Sequence, residues 1–396
     1  MSDSESLPIN TGRSVGQVLR PFIFGGVVLL VLAALFGLPW WALVSASTDW
    51  PAPVFAIGTA VFAVAVIAFP VLMYLGHRGG GADWAARIAD TMLGVVWVLF
   101  TWTLLSNVLR LGLIVAGVDN PVRSRIVAVA IVAVAVPLII WGAVEAMRVP
   151  RLRHVEVTLP RLGAGLDGTR VVVLTDTHYG PINRARWSAG VAAAVNKLDP
   201  DIVVHAGDIA DGTADKRREQ SAPLGTIRAK MARVYVTGNH EYYSEAQGWL
   251  DRMGELGWDL LHNRHVVVER GGDRLIVAGI DDATAAGSGL PGHRPNLDGA
   301  LAGTDASLPV LLVAHQPKQV REAAAAGVDL QISGHTHGGQ IWPFNFLVKL
   351  DQPSVQGLSR HGERTQLYTS RGTGFWGPPL RVFAPSEITV LTLRTA

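Results

Sequence analysis

The sequence predicts an α/β protein in which four transmembrane helices precede a globular domain built from alternating strands and helices. Three observations carry that expectation. The chain is 49% hydrophobic, and the excess is concentrated before about Ala146. Beyond that point short β-branched runs alternate with helical patterns, as buried strands and covering helices do. Metal-type side chains recur where those runs end. The boundaries expected from these shifts are a tail over 1–21, a transmembrane region over 22–147, a connector over 148–169 and the globular domain over 170–396.

The apolar part contains four candidate spans, Phe22–Val44, Val54–Leu75, Thr91–Val118 and Ile126–Met147. Each is near the roughly 20 residues needed to cross hydrocarbon. The first is not a cleavable signal peptide, because three more spans follow and no small-residue cleavage site stands out. Trp40, Trp41, Trp50 and Trp84 lie near span ends, where indole rings favour the headgroup layer. Arg13 and Arg20 precede the first span, Arg78 and Arg87 lie in the second loop, and Arg148, Arg151 and Arg153 follow the fourth. By the positive-inside rule both termini, and the globular domain, face the cytoplasm. Arg123 and Arg125 in the third loop run against this, so the outer face stays open. Arg110 is read as snorkelling from a span end. Asn107 and Glu145 have the same reading, and the region lacks the paired charges that a transport path needs.

Net charge is only +2, which gives no electrostatic case for a nucleic-acid partner. With 0 cysteines, disulfides, thiolate metal sites and cysteine nucleophiles are excluded, while the compartment is left open.

In the second half, strands are expected at Val171–Thr175, Ile202–His205, Val234–Thr237, Leu275–Ile280, Val310–Ala314, Leu330–Ser333 and Glu387–Leu393. Helical patterns cover Ala185–Leu198, Ser244–Leu256 and Lys318–Ala326. Ala285–Pro309 and Ile341–Glu363 are expected to be long loops, of the length that often forms lips or lids. Asp176-Thr177-His178 follows the first strand, and Gly207-Asp208-Ile209-Ala210-Asp211-Gly212 the second. Gly238-Asn239-His240-Glu241 follows the third, His315-Gln316-Pro317 the fifth, and Gly334-His335-Thr336-His337-Gly338-Gly339 the sixth. Ligands of an α/β sheet bind at the carboxyl ends of its strands, so these turns should converge. Their oxygen and nitrogen donors, with no sulfur, suit manganese, iron or zinc. They exceed what one open-sited ion needs and fit a pair of divalent ions sharing a carboxylate, which can activate water and neutralise phosphate oxygens. Singly, each motif is weak, since a lone His near a strand end is usually structural.

In this order the motifs resemble the calcineurin-like metallophosphoesterase superfamily over most of Arg170–Leu393. Gly279-Ile280-Asp281-Asp282, His315-Gln316-Pro317, Ser333–Gln340 and Ser370-Arg371-Gly372-Thr373-Gly374 resemble a narrower branch, the bacterial membrane- or envelope-associated phosphodiesterases of YkuE-like type. The resemblance implies a fold of two mixed β-sheets packed face to face and flanked by helices. It implies that Asp176, His178 and His337 hold one metal, Asn239, His315 and His335 the other, and that Asp208 bridges them. It makes His240 a phosphate contact able to protonate the leaving oxygen, and a bridging water or hydroxide the attacking group. Asp211 and Glu241 are read as residues that orient ligands.

His205 reads as a buried structural residue, and His154, His262 and His265 as ordinary surface or hairpin residues. Asp281, Asp282 and Arg371 are open between substrate contact and structural pairing. Lys216, Arg217 and Arg218 read as a solvated basic face. The apolar stretch Ile341–Lys349 is read either as self-packed or as a lip that admits a lipid tail. The expected function is a membrane-bound phosphodiesterase acting on a phosphorylated lipid or nucleotide-lipid, with membrane lipids as neighbours. The alternatives are a phosphomonoesterase of the same superfamily, and a receptor or transporter subunit that uses the domain as a binding module.

Overall fold

A computed structural model describes residues 15–46, 50–78 and 81–396. Residues 1–14, with Arg13, lie outside the described residues, and the rest of the expected tail belongs to the first helix. The apolar region forms α1 (Val15–Trp40), α2 (Ala52–His77), α3 (Asp83–Val115) and α4 (Val122–Met147). All four are long and apolar enough to cross a membrane. A helix satisfies its own backbone hydrogen bonds, which hydrocarbon cannot do for it. The third helix begins at Asp83 rather than near Thr91. The apolar run starts only after Arg87 and Asp90, but an acidic residue in the first turn favours a helix start there. Arg110 sits in the last two turns of α3, its guanidinium 4.4 Å from the Trp41 ring.

The chain divides into two compact units, one ending at Phe69 and resuming over Val96–Ala135, the other comprising Pro70–Val95 and Val136–Ala396. In the first, Ala42, Val127 and Ile131 form a buried apolar cluster with Leu43, Leu99, Trp102 and Leu113 around it. Trp40 Nε1 donates to Thr59 Oγ1 at 3.1 Å.

The second unit is built on two six-stranded sheets. The first runs β1 (Arg151–Thr158), β12 (Glu387–Arg394), β2 (Arg170–Leu174), β3 (Ile202–His205), β4 (Ala232–Tyr235) and β5 (Asp259–Leu260) in spatial order. The second runs β10 (Gly357–His361), β11 (Thr365–Thr369), β9 (Leu330–Ser333), β8 (Val310–Val313), β7 (Asp273–Gly279) and β6 (Arg264–Arg270). In the first sheet β2 to β5 are mutually parallel, as β7, β8, β9 and β11 are in the second. Alternate residues of both sheets, among them Val171, Val173, Val204, Val234, Val277, Leu311, Val313 and Ile332, fill one core between them. The opposite face of the first sheet, through Val172, Leu174 and Val203, packs on α5 (Ala185–Lys197) and on Trp249. The opposite face of the second, through Ile276, Ala278 and Leu312, is covered by Leu297, Ala300 and Ala323. The result is two mixed sheets face to face with helices outside. Period-two burial on both faces explains why these strands read as continuous hydrophobic runs.

The stretch read as a connector departs from expectation, since Arg151–Thr158 pairs parallel with β12 along its whole length. It is an edge strand with one wet face, so only Val155 and Val157 turn inward. Pro150 and Pro160 lie just outside its two ends. The loop expected over Ile341–Glu363 contains a short helix, Asn345–Val348, and β10.

Candidate metal centre

Because β2, β3 and β4 are parallel neighbours, as are β8 and β9, their following turns open at matching ends. The structure brings Asp176, His178, Asp208, Asn239, His240, His315, His335 and His337 together there. Asp176, His178 and His337 place one ligand atom each within 4.8 Å of one another, as do Asp208, His315 and His335, and also His178, Asp208 and His240.

The turns are tight and locally strained. Asp176, His178, Asp208, His335 and His337 all have positive φ, between 41° and 70°. Non-glycine residues take this conformation at a cost of about 1–3 kcal/mol each and hold it only where surroundings over-determine it. Two glycines permit the close approach. A Cβ on Gly238 would lie 2.2 Å from Asp208 Oδ1, and one on Gly334 would lie 2.3 Å from Asp176 Oδ2. Main-chain donors then fix the carboxylates: His335 N–H donates to Asp176 Oδ1 at 3.0 Å and His240 N–H to Asp208 Oδ1 at 2.9 Å.

The donor set fits a pair of cations. His315 Nδ1 donates to the Ala206 carbonyl at 2.7 Å. Its Nε2 is thereby a lone pair, 3.1 Å from both Asn239 Oδ1 and Asp208 Oδ2. Three acceptors facing one another in a buried volume need a proton or a cation between them. The titration directions say the same. Burial opposes a charge on His315, yet the Asp208 carboxylate pushes its pKa well above the ordinary imidazole value. Burial, opposed by His315 and helped by the nearby Asp208 charge, raises Asp176. Asp208 itself is held well below the usual carboxylate range, against burial, by His315 and His240. Burial and the Arg381 charge keep His337 neutral, as a ligating imidazole must be.

Asp211 and Glu241 shape the centre without facing it. Asp211 Oδ1 accepts from His178 Nδ1 at 3.2 Å and lies 2.7 Å from His240 Nδ1. Despite burial, these two imidazoles depress its pKa strongly. Burial alone would lower His240, but Asp208 and Asp211 raise it to about 9. The buried Glu241 accepts the N–H groups of Asp208, Ile209 and Gly238, at 3.0, 2.7 and 2.5 Å.

Two arginines at the site carried no local sequence signal. Arg381, wholly buried, donates to the carbonyls of His337 and Arg371 at 2.7 and 2.8 Å, and its Nη2 lies 3.1 Å from His337 Nδ1. Arg184 donates to the carbonyls of Thr177 and His178. Burial lowers their pKa values to about 9 and about 10.

Other residues fall elsewhere. His205 is buried against Tyr235 and Trp258, 3.3 Å from Thr177 Oγ1, and burial drops its pKa to about 3. It is structural. Arg371 pairs with Glu387 at 2.7 Å, and Asp282 accepts from Gln316 Nε2 at 3.0 Å. His262 is not an ordinary surface residue: its Nδ1 is 2.6 Å from Asp281, with the His293 ring 4.7 Å away. Asp281 also accepts from Asn263 Nδ2 and the Arg294 N–H, both at 3.0 Å. With its oxygens so occupied, this trio clasps the loop after β7. The basic run is not uniformly solvated either. Arg218 is exposed, but Arg217 is buried and forms a two-pronged pair with Asp83 of α3 at 2.7 and 2.8 Å.

Comparison with known proteins agrees with this geometry. Residues 169–339 match the family described as calcineurin-like phosphoesterase. A Danio rerio protein called transmembrane protein with metallophosphoesterase domain is 34% identical over 329 residues, covering 79% of this chain and 74% of its own. That match is longer than the domain starting at residue 170, so it extends into the apolar helices. An uncharacterized metallophosphoesterase of Campylobacter jejuni is 32% identical over 346 residues, covering 86% of this chain and 90% of its own. The uncharacterized metallophosphoesterase YkuE of Bacillus subtilis is 28% identical over 241 residues, covering 58% and 81%.

Replacing Asp211 by Ala removes the acceptor that orients His178. Loss of such a supporting partner weakens metal binding about 10–100-fold. Titration against a metallochromic chelator measures this, and unchanged affinity would contradict the role given to Asp211.

Proposed function

Because the chain belongs to the calcineurin-like phosphoesterase family, and is a metal-dependent phosphoric ester hydrolase carried by a membrane protein, we propose that it is a phosphodiesterase acting on a phosphorylated lipid or nucleotide-lipid. The family is dinuclear. In this reading Asp176, His178 and His337 hold one divalent ion, Asn239, His315 and His335 the other, and Asp208 serves both, with manganese, iron or zinc as candidates. Bound ions of this kind supply an activated water and neutralise phosphate charge. The chain's own contribution is orientation and proton delivery. Asp211 holds His240 through Nδ1, which leaves Nε2 free to donate to a departing oxygen. Glu241 fixes the turn that carries Asp208.

The observation that carries the lipid reading is an exposed apolar surface next to the centre. Directly after His337, the short helix Asn345–Val348 leaves Phe346 and Leu347 at least half exposed, and Leu350 is 84% exposed. Trp342 packs on Phe383, which packs in turn on Trp141 of α4, with ring centroids 6.4 and 5.8 Å apart. Apolar side chains contiguous with a membrane-spanning helix suit the headgroup boundary better than water. Arg148, Arg151 and Arg153 after α4, with Arg78 at the end of α2, favour a cytoplasmic face for this unit.

Three experiments test these readings. Detergent-purified protein stripped of metal and given manganese is expected to hydrolyse bis(p-nitrophenyl) phosphate, and Asp208→Asn to lose at least about 100-fold, since ligand removal disturbs both ions. A folded protein inert with every divalent metal would instead favour a binding module. Trp342→Ser with Phe346→Ser should depress hydrolysis of a lipid diester in micelles roughly tenfold more than that of the chromogenic diester, equivalent to about 1.4 kcal/mol. Equal losses would remove the basis for the lip. Since the chain has 0 cysteines, Ala302→Cys gives a unique thiol, which an impermeant maleimide should label only after the cells are opened. Labelling of intact cells would place the enzyme outside.

A further inference from the structure

Beside His178 the centre opens into a pocket lined by Arg184, Asp211 and Phe375 together with Arg87 and Asp90 of α3. The charged groups in this wall are unequally committed. Asp211 is taken by His178 and His240 at 3.2 and 2.7 Å. Asp90 is taken by His77 Nε2 at 2.9 Å. Both carboxylates therefore have cationic or N–H partners of their own.

The two arginines do not. Arg184 spends Nη2 on the carbonyls of Thr177 and His178. Its Nη1 is buried and has no hydrogen-bond partner. The guanidinium cannot swing away to find one, because it is stacked between the Trp187 and Phe375 rings, 4.4 and 4.3 Å from their centroids. Arg87 is exposed on the facing helix, and no ion pair among the described residues involves it. A buried donor left unmet is costly. The acceptor that repays it best is an anion, which a planar guanidinium meets with directed, charge-assisted hydrogen bonds.

We propose that Arg184 and Arg87 form an anion subsite beside the metal centre, which takes a second negative group of the substrate, a carboxylate or phosphate separate from the phosphate that is cleaved. This rests on the phosphodiesterase reading and narrows it. A substrate whose sole charge is the scissile phosphate leaves Arg184 Nη1 unmet, whereas one with a further anion a few bonds away engages the centre and the subsite together. Because Arg87 comes from α3, the membrane helix is part of the substrate site, and Arg87 sets specificity without touching the reacting phosphorus.

The test uses the full-length, manganese-loaded protein in detergent and two product-like probes of the same carbon skeleton, 3-phosphoglycerate and glycerol 3-phosphate. They differ by one carboxylate. Inhibition of bis(p-nitrophenyl) phosphate hydrolysis gives a constant for each. The wild-type protein should bind 3-phosphoglycerate at least tenfold more tightly. In Arg87→Gln the ratio should collapse towards one, and Arg87→Lys should retain most of it. The exposed position of Arg87 makes these variants safe for folding. Equal constants in the wild-type protein, or a ratio unmoved in Arg87→Gln, would overturn the subsite. If the wild-type protein failed to hydrolyse the reporter, or released inorganic phosphate from the probes, the diester reading would fall instead. Calorimetric binding of the same two probes would then decide the subsite alone.

Discussion

Glu241 ties the turn after β3 to the turn after β4, and the metal centre depends on that tie. Its carboxylate accepts the N–H groups of Asp208 and Ile209 from one turn and of Gly238 from the other. Each of these donors is buried and would otherwise be an orphan, at about 1–3 kcal/mol apiece. With them satisfied, Asp208 can sit at a φ of 54° with its side chain aimed at His315. Burial and the neighbouring Asp208 charge raise the Glu241 pKa to about 7. The group that orders the turns is thus itself at the edge of neutrality, and positive charge placed among the ligands would favour its ionised form. Order in the turns and occupancy of the centre therefore reinforce each other.

The buried arginines solve a related problem. Left-handed turns such as those at His178 and His337 direct carbonyl oxygens inward, where no strand partner can reach them. Arg184 and Arg381 meet those carbonyls, His178 O at 2.7 Å and His337 O at 2.7 Å. A guanidinium is suited to this because it offers five donors in a fixed fork and stays charged at neutral pH even when burial lowers its pKa. The fixed charge near His337 also disfavours an imidazolium there. What looks like an expensive burial of two cations supports two strained turns of the centre.

Much of this was legible in the sequence because the relevant signals are local. A β-branched run followed at once by Asp176 and His178, or by Asp208, announces both the strand and the turn that ends it. The same holds for Asn239, His315, His335 and His337. What could not be read is what arrives from far away in the chain. Arg381 reaches His337 across more than forty positions, and Arg217 reaches Asp83 of α3, so neither pair leaves a spacing to notice. His262 looked ordinary because its partners Asp281 and His293 are distant in sequence. The connector was misjudged for a different reason. An edge strand buries one face only, so Arg151–Thr158 lacked the continuous apolar run that betrayed its neighbours, and its partner β12 is at the opposite end of the chain.

The same long-range contacts bear on why the catalyst and the helix ends share one compact unit. The Arg217 guanidinium holds Asp83 at the start of α3, and its Nε donates to the Asp211 carbonyl at 2.9 Å. Asp211 in turn orients His178 and His240. From the other side, the Arg381 N–H donates to the Gly142 carbonyl of α4 at 2.9 Å, while the Arg381 side chain supports His337. The approach at Gly142 is close, since a Cβ would lie 3.0 Å from Val382 Cγ2. Two helices thus reach two histidines of the centre, His178 and His337, through one intermediate arginine each. Each link is a short chain of directed hydrogen bonds, and the one through Arg381 is wholly buried, where such bonds gain strength and tolerate little displacement. A tether alone would require neither. The helix ends are part of the framework that shapes the centre, and a catalytic domain cut free after Met147 would lose the partners of Arg217 and of the Arg381 N–H at once.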